Sequence, residues 1–218
     1  MIKITNVDVF GWESAIRGMR NPMNSWDKSD SFWCLSSGGC TKLTMFCDAG
    51  GYCVGENDLK LMKNLSKAGS DHGKFLRMIN VTCDINAPLY WWKEFDTYKV
   101  GTVANSCSTM HKIHSRPITI MDFSHEYLES EVKDVLLCVV QSLNALREYY
   151  NDFGNKCDWY QMIQLLPTSY NQKRTVQLNY QVLKSMYHAR KHHKLDEWRE
   201  FCKWCETLPY FKEICIQE

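Results

Sequence analysis

The chain is predicted to fold as a helix-rich α+β (α/β) domain, one domain over residues 1–218 carrying a small antiparallel or mixed sheet. Three observations predict this. Ile2, Ile4, Val7 and Val9 mark one short strand, and Ile79, Val81, Cys83 and Ile85 alternate with Asn80, Thr82 and Asp84 in a second, half-buried one. Longer stretches repeat apolar residues at helical spacing, with no internal repeat. The 218 residues, 44% hydrophobic and 13% aromatic, suffice for one core.

The elements follow in order. After the first strand, Glu13 to Met19 begins a helix that ends near Asn21-Pro22. Residues 24–55 hold no sustained period, are punctuated by Gly38-Gly39 and Gly50-Gly51, and read as a Cys/Gly-rich inserted loop or hairpin with Lys42 to Cys47 as its strand. Asn57 is placed to cap a helix through Leu59, Met62 and Leu65 that Gly69 stops. Beyond the second strand, Pro88 suits the first position of an aromatic helix, Leu89 to Asp96. Thr97 to His114 is polar and reads as loop. Ser124 is placed to cap a long helix through Tyr150 whose apolar stripe is Val132, Val135, Leu136, Val139, Leu143 and Leu146. Trp159 to Leu166, Val176 to His188 and Leu195 to Thr207 complete the set as helices, joined by turns.

Charge and composition exclude several function classes. Twenty-six basic against 25 acidic residues give a net charge of +1, so no global field gathers long nucleic acid or a membrane surface, and an anionic ligand must be held by a local cluster. No stretch approaches the ~18 apolar residues of a membrane span, and the N-terminus lacks the basic-then-apolar pattern of a signal peptide, which implies a cytoplasmic protein. The 11 cysteines fit reduced thiols. Cys34, Cys40, Cys47 and Cys53 stand 6, 7 and 6 apart, wider than structural zinc pairs, and Cys202 and Cys205 fall in a helix with Trp198 and Phe201, where packing explains them. His188 and His192 share a helical face but lack an acidic partner nearby, so no metal site is expected.

Three regions concentrate polar groups that a core would not choose. Arg17 to Asn24 carries Arg17 and Arg20 on one helical face, which serves either a ligand or a solvated helix end. Trp91 to His111 follows an aromatic helix with a run of Thr, Asn and Ser donors suited to a phosphate or cofactor, although its sparse glycine makes it no dinucleotide fingerprint. Asn179, Leu183, Met186 and Arg190 share a helical stripe about 16 Å long. That stripe either holds both ends of a long ligand or ends in solvated polar residues on a core-facing helix. No nucleophilic triad and no G-x-S-x-G are present.

The order of these segments resembles the flavin-dependent thymidylate synthases (thymidylate synthase complementing proteins), which methylate deoxyuridylate using methylenetetrahydrofolate, FAD and NADPH. The similarity runs over Ser14–Arg20, about Leu59–His111 and Asp158 to roughly Leu208. It rests on the early paired arginines Arg17 and Arg20; on a helix, Gly69 and a turn with His72 and Phe75 leading to Ile85; on Ala87-Pro88-Leu89-Tyr90-Trp91-Trp92; and on Leu166-Pro167 followed by a helix with Asn179 and ending Ala189-Arg190. The family's Arg-His-Arg signature falls on Thr97-Tyr98-Lys99, its serine falls on Cys107 with Ser108 one place later, its pyrimidine-contacting glutamine falls on Glu94, and a nucleotide-binding arginine falls on Ile163.

The resemblance implies FAD and a pyrimidine deoxynucleotide, dUMP or a relative, for reductive one-carbon transfer at C5, in a homotetramer that shares its sites between subunits. Carried over residue by residue, it implies Glu94 and Ser108 at the reacting base. His72, Thr97, Tyr98, Lys99, Asn105, Asn179 and Gln181 fall toward the flavin, and Arg17, Lys99, Ser108, Thr109 and Arg190 toward the nucleotide. Lys99 keeps a charge where the family has a guanidinium but gives up its bidentate geometry, and the acceptor-only Glu94 suits a pyrimidine edge with an amino group, as in a cytosine nucleotide. Two rival readings stand beside this one: a catalytically silent relative that binds nucleotide or assembles other proteins, and a thiol or zinc protein built on the Cys34 to Cys53 loop.

Overall fold

The computed structural model describes residues 1–34 and 51–216; Gly38-Gly39, Gly50, Cys40, Cys47 and the strand expected over 42–47 lie outside them. The chain divides into two compact units. The first comprises Met1–Asn6, Cys83–Lys99 and Ala104–Val176, and the second comprises Val7–Thr82, Val100–Val103 and Gln177–Glu218. Along the chain come β1 (Lys3–Phe10), α1 (Trp12–Arg20), β2 (Phe32–Trp33), β3 (Tyr52–Cys53), α2 (Glu56–Lys67), β4 (Asn80–Pro88), α3 (Leu89–Phe95) and β5 (Val103–Ser106). They are followed by α4 (Thr109–Lys112), α5 (Ser130–Phe153), α6 (Lys156–Leu165), β6 (Asn171–Asn179), α7 (Tyr180–Arg190), α8 (Asp196–Cys205) and α9 (Phe211–Cys215). Four strands form a sheet in the order β1-β4-β6-β5, and β2 pairs antiparallel with β3, Trp33 opposite Tyr52.

In the first unit the alternation along β4 buries Cys83, Ile85 and Ala87, as the period of two predicts. Asp84 points the other way, where Lys173 Nζ at 2.8 Å, Thr175 Oγ1 at 2.6 Å and Asn6 Nδ2 at 2.8 Å donate to it. Those bonds, Lys173 first, bring its carboxyl down to about 2. Helix α3 buries Trp91, Trp92 and Phe95; Trp92 Nε1 donates to the Gln172 carbonyl at 2.9 Å, and the Arg174 guanidinium lies 4.2 Å over the Trp92 ring. Helices α5 and α6 close a separate apolar cluster of Leu136, Val140, Leu143 and Met162 with Ile113, Ile118 and Phe123.

The second unit is built on Trp12, Ile16, Met62, Phe75, Tyr180, Leu183, Trp198, Phe201, Phe211 and Ile214, all buried. Cys202 and Cys205 pack within this core, as expected. Burial pushes the Cys202 thiol up to about 11 and the Cys215 thiol to about 12, so both stay protonated and behave as small apolar side chains.

Several boundaries differ from expectation. Residues 171–179, read as loop followed by the start of a helix at Val176, form strand β6, because Gln172, Val176 and Leu178 alternate as buried positions; the helix begins only at Tyr180. Helix α5 starts at Ser130, not after Ser124, whose hydroxyl instead donates to Asn171 Oδ1 at 2.9 Å. Its buried stripe is Leu136, Val140 and Leu143, while Val132 and Val135 are exposed. Pro88 ends β4 in an extended conformation and stands before the helix rather than in its first turn. The polar stretch after Thr97 contains β5 and α4, and α9 was not anticipated. Asn57 lies inside α2; the start of that helix is satisfied from a distance by the Asp30 carboxylate, which accepts from Asn57 N at 2.9 Å and Asp58 N at 3.1 Å.

Asp58 is fully buried and accepts from Arg20 Nε at 2.6 Å, Ser31 Oγ at 2.6 Å, Ser29 Oγ at 2.7 Å and Asp30 N at 3.2 Å. Burial alone would raise its pKa, but the Ser31, Ser29 and Arg20 hydrogen bonds outweigh it and hold the carboxyl below its ordinary 3.8. Removing the carboxylate strands a buried guanidinium, so Asp58→Ala should cost about 3–5 kcal/mol in chemical denaturation. The folded pKa is depressed, so this stabilisation is complete above the unfolded carboxylate value and disappears as pH falls through the folded one. Stability measured by denaturation should therefore fall with acidification below about pH 4 more steeply in the parent chain than in Asp58→Asn.

Candidate functional site

A polar cleft of about 320 Å³ opens in the first unit. The turn into α4 brings Cys107, Ser108 and Thr109 to one wall, and β6 brings Asn171, Gln172 and Lys173 to another. Ser108 caps α4, its hydroxyl accepting from His111 N at 3.0 Å. Gln172 Nε2 donates to the Cys107 carbonyl at 2.8 Å, and Cys107 N donates to the Lys173 carbonyl at 2.9 Å, which seats the 107–109 turn against β6.

Three cations line this cleft, Lys112, Arg116 and Lys173, against a single carboxylate, Asp122. Arg116 grips Asp122 with two parallel bonds, at 3.0 and 2.5 Å. Burial works to raise Asp122, but Arg116 and the Thr119 backbone N–H hold its carboxyl low, while Asp122 holds the guanidinium charged. Lys173 is likewise paired, with Asp84 at 2.8 Å, so Lys112 carries the lining's remaining positive charge, which favours a small molecule with an anionic end.

Of the residues singled out in the sequence, Ser108 and Thr109 line this cleft. Glu94 sits half-buried on α3, and its carbonyl accepts from Thr97 Oγ1 at 2.7 Å, so the Thr97 hydroxyl closes that helix end. Tyr98 is half-buried, and Lys99 and Asn105 are exposed, Asn105 on β5. None of these last five lines the cleft.

The remaining candidates belong to the second unit. Asn179 caps α7, its Oδ1 accepting from Val182 N at 3.0 Å. Gly101 approaches the same amide so closely that a Cβ there would lie 2.8 Å from Asn179 Nδ2; with a φ of +78°, the position admits glycine readily and other residues poorly. His72 is exposed on the turn before Gly73, and a Cβ on Gly73 would come 3.9 Å from Gln181 Oε1. The His72 turn, Gly101, Asn179 and Gln181 thus gather around the start of α7. Arg190 lies at the opposite end of that helix, its guanidinium 4.8 Å over the Trp198 ring. Arg17 is exposed on α1 and shares a small cleft with Arg20, Trp26 and Tyr52. The paired arginines therefore divide: Arg17 faces solvent, while Arg20 is buried against Asp58.

Sequence reasoning passed over Lys112, Arg116, Asp122 and Lys173. The Lys112-to-Arg116 tract and the Thr119/Asp122 capping box were local signals for three of them, whereas Lys173 was hidden by the misreading of β6. Among the described residues no group of three His, Cys, Asp or Glu is placed to hold a metal ion, and no helix is long and apolar enough to cross a membrane.

No family profile and no curated protein matches the sequence. Solved structures do match in fold. The flavin-dependent thymidylate synthase of Helicobacter pylori complexed with FAD and dUMP superposes with a TM-score of 0.65 at 15% identity, covering 97% of this chain and 98% of that one. A second structure of that synthase, also with FAD and dUMP, gives a TM-score of 0.67 at 14% identity over 99% of this chain and 97% of the other. Along nearly its whole length, therefore, this chain has the fold of a flavin-dependent thymidylate synthase.

Proposed function

We propose that this protein is a divergent flavin-dependent thymidylate synthase-like enzyme that binds FAD and a pyrimidine deoxynucleotide, dUMP or a relative, for reductive one-carbon transfer at C5. The observation that carries the reading is end-to-end likeness in fold to an enzyme crystallised with both molecules. In this reading methylenetetrahydrofolate and NADPH are co-substrates, the assembly is a homotetramer and the setting is cytoplasmic.

The residues that the resemblance assigns to the flavin carry donors and acceptors of the kinds a flavin dinucleotide takes. In the second unit, Gly101 approaches Asn179 closely, and the His72 turn lies near Gln181. Lys99 and Asn105 present an exposed ammonium and an exposed amide in the first unit. Thr97 and Tyr98 would frame that end of the site. The flavin, when bound, supplies the hydride. The chain supplies position and charge. Ser108 and Thr109 offer hydroxyls to the nucleotide, with Lys112 beside them as phosphate counter-charge. Arg17 and Arg190, in the other unit, are the further cationic contacts that the resemblance assigns. Ser108 faces the base from the cleft, and Glu94, outside that lining, is the acceptor that the resemblance assigns to the pyrimidine edge.

A second reading, an inactive homologue that binds nucleotide or serves assembly, is favoured by one observation: Thr97, at the first position of the family's Arg-His-Arg, carries no charge and has its hydroxyl proton committed to the Glu94 carbonyl at the end of α3.

The absorption spectrum of the purified protein separates the two. Bands near roughly 370 and 450 nm, or their appearance on adding FAD, support the enzyme; a colourless protein that takes up no FAD yet binds dUMP supports the second reading. In calorimetric titration with dUMP, Lys112→Ala and Arg190→Ala should each weaken binding by about 1.5–3 kcal/mol, the range for a hydrogen bond to a charged group. Affinity unchanged in both variants would remove the assigned phosphate contacts.

A further inference from the structure

We propose that a second cleft, in the other unit, binds a small organic cation, an alkylated ammonium, between aromatic rings and two carboxylates. The cleft holds about 470 Å³, within the range of small-molecule sites, and is bounded by β1 and the start of α1, by Trp33 and Tyr52 of the two-stranded ribbon, and by Tyr210 before α9. Its charged lining residues are Asp8 and Glu13, with no Lys, Arg or His among the described residues that form it. Its walls carry Phe10, Trp33, Tyr52 and Tyr210.

Trp33 is 55% exposed and Phe10 41% exposed, and both line the cleft, so their ring surface is available to a ligand seated in it. The rings are oriented. Trp33 Nε1 donates to Glu13 Oε2 at 3.1 Å, and Trp33 stands edge to face with Tyr52 at 5.1 Å, so an indole, a phenol and a carboxylate converge. Tyr210 packs edge to face on Trp12 at 5.5 Å from a left-handed backbone with φ 55°, a conformation a tyrosine adopts only when its surroundings impose it. Gly11, at φ +94°, lets β1 turn into α1 where a Cβ would come 2.1 Å from the Met78 carbonyl oxygen, and this turn sets Asp8 and Phe10 beside Glu13.

The chemistry selects the ligand class. Negative charge repels nucleotides and other anions. A hard metal ion wants about six oxygen ligands, which two carboxylates and ring faces do not supply. An ammonium bearing methyl groups meets all of it: its methyls pack on ring faces, its charge interacts with their quadrupoles, and the carboxylates balance it without hydrogen bonds. Burial and the neighbouring Glu13 carboxylate both raise the Tyr52 hydroxyl, in keeping with a negative local field. Arg17 and Arg20 lie along the adjoining smaller cleft, which shares Glu13 and Tyr52, and Arg20 is already paired with Asp58.

Tryptophan fluorescence and calorimetry on the whole protein test this with four probes: choline, its neutral isostere 3,3-dimethylbutanol, a short peptide bearing trimethyllysine, and the same peptide unmodified. Choline should bind saturably and at least about tenfold more tightly than the neutral isostere, and Trp33→Ala and Asp8→Asn should each weaken it about tenfold or more. Trp33 and Asp8 are exposed, so both variants should keep the parent's unfolding midpoint, which denaturation would check. Tighter binding of the trimethylated peptide than of choline would assign the same chemistry to a modified side chain rather than a free molecule. No binding of either cation, equal binding of the neutral isostere, or full affinity in both folded variants would overturn the proposal.

Discussion

One buried carboxylate organises the second unit. Asp58 has no exposed surface, and four donors converge on it from α1 and from residues 29–31, with Arg20 also reaching the Ser25 carbonyl at 3.1 Å. A charge taken out of water is tolerable only if it is paired and its remaining lone pairs are satisfied, and this arrangement meets both conditions. It ties the irregular segment after α1 to the first turn of α2, and Asp30 in turn satisfies that turn's backbone. Because this segment leads directly to Trp33, the same network determines where one wall of the aromatic cleft stands. It also removes Arg20 from any role at a ligand and leaves Arg17 as the exposed member of the pair.

A net charge of +1 conceals two local fields of opposite sign. In the first unit, cations gather from the 112–116 tract and from β6 around Ser108 and Thr109; Asp122 pairs with Arg116 and Asp84 with Lys173, which leaves Lys112 as the excess positive charge. In the second, Asp8 and Glu13 line a cleft with no cation in its described lining. Whole-chain electrostatics argued against long polyanions and membranes, but ligand choice is decided over distances shorter than the ~8–10 Å screening length. The two clefts are therefore read separately, the cationic one in terms of nucleotide chemistry and the anionic one in terms of organic cations.

The helices and strands most legible in the sequence were those whose pattern is local. β4 alternates cleanly, α8 carries its apolar stripe of Trp198, Phe201, Cys202 and Cys205, and α2 stops at Lys67, just before Gly69 takes a left-handed φ of 109°. β6 was misread because Lys173, Arg174 and Thr175 break its alternation in hydrophobicity. Their partners, Asp84 for Lys173 and Thr175, and Trp92 with Asp96 for Arg174, come from β4, from α3 and from the residue that follows α3. Ser124 resembled a cap because short hydroxyl side chains serve equally well in loops, and here it bonds across to Asn171. Among the candidate residues Ser108 and Thr109 were found at a cleft, whereas the ammonium and guanidinium groups beside them were not, since a basic residue on a polar stretch looks like ordinary solvated surface until a wall forms opposite it.

The sequence by itself determined the class of fold, the aromatic helix at 89–95, the role of buried cysteines as packing groups and the order of segments that resembles the flavin-dependent thymidylate synthases. These follow from periodicity, from glycine and proline, and from residue types met in sequence order. Tertiary structure alone decided which charges pair. Arg20 and Asp58 are 38 residues apart, and Asp84 and Thr175 are 91 apart. It also decided that the Asn179 side chain caps α7, that Arg190 stacks on Trp198, and that carboxylates and rings from four segments enclose one cleft. The reason is physical: periodicity reports which face of an element is buried, but the partner of a charge, and the opposite wall of a cavity, come from distant segments whose placement local pattern does not encode.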